Sequence, residues 1–87
     1  MLKLTKSANA RLTELLSNRS PQRTVRIDRR EKHLTLCRDR KRSGDITFSH
    51  EGRVVLVLDS RLSEVLTGHT LDTQKTKTGT RLRLRRQ

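Results

Sequence analysis

The order of periodicities in this 87-residue chain predicts an α+β domain: a small, mostly antiparallel β-sheet with two helices to cover it. Three observations carry that reading. One early segment repeats its apolar residues at spacings of three and four, as a helix with a single buried face does. Several short segments alternate apolar and polar residues, as half-buried strands do. A single run, Arg53–Leu58, is apolar on both faces and leads straight into a second helical pattern, so it should be the central and most buried strand.

Residues 5–17 form the first helical segment, with Ala8, Leu12, Leu15 and Leu16 inward and Asn9, Arg11, Glu14 and Ser17 on the wet side. Thr5 or Ser7 is placed to cap it. The turn-forming run from Ser17 to Pro21 ends it, because the residue before a proline is driven out of helical geometry. Thr24–Ile27 alternates as a strand with Val25 and Ile27 on one face, followed by the charged connection 28–32. His33–Arg38 is the next strand, with Leu34 and Leu36 opposite a half-buried Cys37. A basic loop, 39–44, leads to a strand carrying Ile46 and Phe48.

Glu51-Gly52 supplies a turn that tolerates positive φ. Beyond Leu58, Asp59 or Ser60 caps a short helix with Leu62, Val65 and Leu66 inward, and Gly68 stops it. The last strand pair is 70–73 with 80–84, joined by a polar linker, 74–79. Neither a repeat nor a second domain is visible, so residues 1–87 read as one domain.

The most specific block is Asp45-Ile-Thr-Phe48, then Gly52, then Val54 to Asp59, then Leu62, Val65-Leu66, Gly68 and Leu71-Asp72. With the opening Leu4-Thr5, Ala8, Arg11-Leu12 and Leu15-Leu16, it resembles the HesB-like family, the A-type iron–sulfur carriers, over nearly the whole chain. The resemblance implies their small α+β fold. It also implies three cysteine ligands, one in a glycine-rich loop between the first two strands and two in a Cys-Gly-Cys tail. Here that loop is reduced to 28–32 without cysteine or glycine, and the sequence ends Arg85-Arg86-Gln87. Cys37 is the only cysteine and lies inside a strand. The chain therefore looks like a degenerate member, without the cluster ligands.

Composition narrows the chemistry. One cysteine excludes an internal disulfide and an all-cysteine metal cage. His33 shares a strand face with Cys37 but stands about 13 Å from it by strand rise, too far for one metal. No catalytic constellation is present: there is no Gly-x-Ser-x-Gly elbow, Lys77-Thr78-Gly79 lacks its companion Ser-x-x-Lys, and Gly79 alone makes no phosphate-cradling loop. We expect no enzyme activity, metal or cofactor. The longest apolar run, Val54–Leu58, cannot span a bilayer, and the first residues lack the apolar core of a signal peptide, so a cytoplasmic address without membrane contact is expected.

What remains is charge. Lys and Arg total 21 against nine Asp and Glu, for a formal net charge of +12. Such a chain attracts polyanions at long range. The basic residues fall into three groups: Arg29, Arg30 and Lys32; Arg38, Arg40, Lys41 and Arg42; and Arg81, Arg83, Arg85 and Arg86. Arg81, Arg83 and Arg85 alternate with Leu82 and Leu84, so a strand there presents them as a row at about 7 Å spacing, suited to phosphates or carboxylates. Phe48 is the sole aromatic, which gives base-stacking on single strands little support. The expected partner is an acidic protein or a nucleic-acid backbone, bound without sequence preference. The alternative is an accessory role in iron–sulfur assembly beside a cysteine-bearing carrier. Nothing in the pattern specifies an oligomer.

Overall fold

The computed structural model describes residues 1–18, 20, 22–31 and 33–86. Its elements run β1 (Lys3–Leu4), α1 (Lys6–Leu15), β2 (Arg23–Arg30), β3 (His33–Arg40), β4 (Ile46–His50), β5 (Arg53–Leu58), α2 (Ser60–Val65), β6 (His69–Thr76) and β7 (Gly79–Arg86). The strands form two sheets rather than one, in the orders β1-β6-β7 and β3-β2-β5-β4. The hairpins β2–β3, β4–β5 and β6–β7 are antiparallel, whereas β2–β5 and β1–β6 are parallel. The α+β class with two helices is as expected.

Local chemistry explains most boundaries. Thr5 caps α1, its hydroxyl accepting the Ala8 N–H at 3.1 Å. The same hydroxyl donates to Asp72 at 2.8 Å, tying the start of α1 to β6. Asp59 caps α2 by accepting the Leu62 N–H at 2.8 Å. Gly68 follows that helix at φ +84°, the left-handed conformation that the stop requires. The expected role of Pro21 lies outside the described residues, as does Lys32.

Glu51 and Gly52 make the two-residue turn between β4 and β5, at φ +52° and +80°. Positive φ at both central residues matches the twist of a hairpin, but a Glu there carries a steric penalty that Asn largely avoids. Glu51→Asn should therefore raise stability by about 0.5–1 kcal/mol, read as a shift in the denaturant midpoint; an unchanged or lower midpoint contradicts this account of the turn.

The core is one apolar cluster built from Leu2, Ala8, Leu12 and Leu16, from Val25, Ile27, Val55, Leu56 and Leu58, and from Leu62, Leu66 and Leu71. Leu4, Ile46, Phe48, Leu82 and Leu84 close over it from the partly buried side. β5 is buried on both faces, as its unbroken apolar run requires: Leu56 and Leu58 belong to the cluster, and Val57 is buried in register with Arg26 on the other face.

Five details depart from the sequence expectations. The linker 74–79 is instead the continuation of β6 and β7 up to Lys77 and Thr78, since polar residues pair in a ladder as readily as apolar ones. The charged connection 28–32 shrinks likewise, because Asp28, Arg29 and Arg30 pair with β3. Asp39 and Arg40, expected in a loop, extend β3. Val65 is 57% exposed rather than inward, because α2 is too short to bury more than Leu62 and the capping Leu66. Cys37 is exposed, not half-buried, because β3 is an edge strand.

Candidate polyanion interface

The β6–β7 hairpin places the arginine row. In β7 exposure alternates strictly from Thr80 to Arg85, with Arg81, Arg83 and Arg85 outward and Leu82 and Leu84 toward the core. Cross-strand register sets Gln74 opposite Arg81, Asp72 opposite Arg83 and Thr70 opposite Arg85. Arg85 Nη2 pairs with Asp72 Oδ2 at 2.8 Å, and Arg83 Nη1 donates to Gln74 Oε1 at 3.3 Å. The Asp72 carboxyl is held below the usual carboxylate range, chiefly by the Thr73 N–H, then by the Thr5 hydroxyl, with Arg85 adding its charge. Among the described residues, Arg81 and Arg86 make no ion pair.

The second basic group is organised by a residue that alternation alone makes an ordinary strand position. Arg26 is only 5% exposed. Its guanidinium grips Asp45 with two nitrogens, donates to Asp39 Oδ2 at 3.0 Å and reaches the Arg40 carbonyl at 3.1 Å. Asp45 also accepts the Arg42 N–H at 2.6 Å, and Arg42 Nη2 pairs with Asp39 at 2.7 Å. The loop between β3 and β4 is thus wound around one buried cation. The Asp45 hydrogen bond and charge, with Asp39 behind them, raise the affinity of Arg26 for its proton, and Arg26 in turn depresses that of Asp45, whose largest stabilising contact is the Arg26 hydrogen bond. Asp39 is lowered mainly by the Arg40 N–H, then by the charge of Arg42 and by Arg26. The signal in the sequence was the pair of aspartates bracketing a basic loop, with one arginine in the facing strand.

This architecture sorts the predicted site residues. Arg42 is tied into the network, while Arg38, Arg40 and Lys41 remain exposed around it. Arg29 and Arg30 lie at the other end of the β2–β3 hairpin, opposite Leu34 and His33. Arg30 and Arg23 (the partner of Arg40) are separated by about 23 Å of strand. The first two groups are therefore not one patch. The β7 row belongs to the other sheet, where three guanidiniums at alternate positions share one open strand face.

Among the described residues, no three His, Cys, Asp or Glu side chains lie together as a metal-binding group. The Cys37 sulfur lies 3.9 Å from the Arg26 carbonyl oxygen. No helix among the described residues is long and apolar enough to cross a membrane.

Sheet order, helix placement and hairpins together define the HesB-like fold of the A-type iron–sulfur carriers. SufA of Escherichia coli, involved in iron–sulfur cluster biosynthesis, superposes with a TM-score of 0.77 at 18% identity, covering 98% of this chain and 84% of SufA. IscA, solved with a [2Fe-2S] cluster, superposes at 0.61 with 17% identity, covering 99% of this chain and 82% of IscA. At such identities the likeness is one of fold. No family model matches the sequence, and no curated protein does. A [2Fe-2S] cluster requires about four soft ligands, thiolates foremost; a chain with one exposed thiol does not fit that donor set.

Proposed function

We propose that this chain is a non-enzymatic binding module on the carrier fold, degenerate in its cluster ligands, whose arginine-bearing strand β7 holds a polyanion. The supporting observation is the row Arg81, Arg83, Arg85 on one exposed strand face, with only Arg85 committed to a carboxylate. Guanidinium forks bind phosphate and carboxylate oxygens two at a time, and a repeat of about 7 Å lets a row follow an extended backbone. The sole aromatic, Phe48, packs against the core, so contact is with backbone charge rather than with stacked bases. An acidic protein surface or a nucleic-acid backbone meets these requirements, and neither is read for sequence.

Reversing Arg81 and Arg83 to Glu should weaken binding of a fluorescein-labelled DNA duplex by about tenfold or more at low salt. Both side chains are exposed, so the fold tolerates the change. Unchanged affinity in that variant sinks the reading. Labelled polyglutamate, run beside the duplex, separates an acidic-protein preference from a nucleic-acid one.

The likeness to SufA and IscA favours a second reading, an accessory to a cysteine-bearing carrier. It requires a mixed complex with such a carrier, observable by native mass spectrometry. A brown, iron-containing preparation of this chain alone contradicts the first reading.

A further inference from the structure

The two sheets leave a groove between β3 and β7 of about 410 Å³, lined by Ile27, Leu34, Leu36, Leu71, Leu82 and Leu84, with His33 and Thr35 at its rim. A smaller hollow of about 170 Å³ continues it past Leu36 to Val25, Leu15 and Arg38. Leu34 and Leu36 are 41% and 45% exposed, two of the largest apolar side chains left open to water. They belong to an eight-residue edge strand in which every residue but Asp39 is exposed. Edge strands usually carry inward charges, prolines or bulges that prevent pairing. From His33 to Cys37 this strand has none of these, and its outer N–H and C=O groups are open among the described residues.

We propose that this groove docks an extended segment of a partner protein, which adds as a strand to the free edge of β3 and sets alternate apolar side chains beside Leu34 and Leu36. Main-chain pairing supplies affinity and the apolar hollows select the side chains, as in other strand-addition complexes. The partner segment is acidic at its ends. Arg29 pairs across the hairpin with Leu34 and so shares its face, and Arg38 stands on the same face two residues beyond Leu36. No Asp or Glu lines either hollow. A second copy of this chain is disfavoured as occupant by the repulsion of two bodies of formal charge +12. This site is distinct from the polyanion face, since Leu82 and Leu84 point inward where Arg81, Arg83 and Arg85 point out.

The test is selection of displayed random nine-residue peptides on the full chain. The expected winners have apolar residues at alternate positions flanked by Asp or Glu, and they slow exchange of the amides of residues 33–37. Leu36→Lys, and independently Leu34→Lys, should weaken them at least tenfold while leaving the circular dichroism unchanged. Arg38→Glu should weaken them less, and Arg81→Glu should spare them while reducing duplex binding. No enrichment, winners without the acidic and apolar alternation, or binding that survives Leu36→Lys each overturns the proposal. So does a dimer in sedimentation that Leu36→Lys dissolves, which would give the groove to a second copy.

Discussion

Asp45→Ala should lower the stability of the fold by about 3 kcal/mol, or about 15 °C in Tm for a domain this small. Asp45 is the two-nitrogen partner of Arg26, and its side chain is 4% exposed. Removing it strands a guanidinium that is itself 6% exposed, with Asp39 as its remaining carboxylate. The penalty comes from an uncompensated buried charge, not from the loss of one favourable contact. Replacing both partners, Arg26→Met with Asp45→Leu, should accordingly recover much of the loss. A double variant no more stable than the single one would show that the loop needs the pair for its shape.

The same network ties stability to acid. The Asp45 and Asp39 carboxyls both lie below their ordinary value of 3.8 in the folded chain. A depressed carboxylate contributes in full above its unfolded pKa, and the contribution drains away as pH falls through the lower folded value. Arg26 is raised above its already high ordinary value, so its contribution is complete throughout the acid and neutral range. Stability should thus be level from neutrality to about pH 5 and fall below about pH 4. In Asp45→Ala the acid limb should be shallower.

Leu56→Ala should cost about 3 kcal/mol through the cavity it leaves. Leu56 is fully buried in β5 and lies in register with Val25 on one side and Phe48 on the other. Val25 and Phe48 are both fixed in strand ladders beside it, so neither moves freely into the gap. Total stabilities of domains of this size run from about 4 to 13 kcal/mol. The variant should therefore unfold at a visibly lower denaturant concentration, and a midpoint within error of the parent would contradict the burial of β5 on both faces.

The contrast between Leu56 and Arg26 shows what the chain discloses by itself. Ala8, Leu12 and Leu16, the run Val54–Leu58, and the cap sites to within two candidates each (Thr5 or Ser7, Asp59 or Ser60; the fold takes Thr5 and Asp59) are legible because each acts through near neighbours at a fixed period. The partition into two sheets is not, since alternation says which face a residue takes but not which strand it meets. β1 is two residues long and exists only because Lys3 and Leu4 meet Thr70 and Leu71 from the far end of the chain. Alternation puts Arg26 on the face opposite Val25 and Ile27, and nothing within its own strand calls for its burial. It is buried because Asp39 and Asp45, 13 and 19 residues later, bring carboxylates over it. On the candidate site the alternation of β7 was fully legible, and so was its outward row. The separation of the other two basic groups required the hairpin register.

The most direct test of the central claim is equilibrium anisotropy of a labelled DNA duplex, and of labelled polyglutamate, titrated with the full chain across a salt series. If β7 engages a polyanion through its arginine row, the logarithm of the duplex association constant should fall linearly with that of salt. The slope should be about −2 to −3, and it should flatten by about two when Arg81 and Arg83 become Ala. Binding of neither probe at low salt, or a slope that the two substitutions leave unchanged, contradicts the assignment of this face.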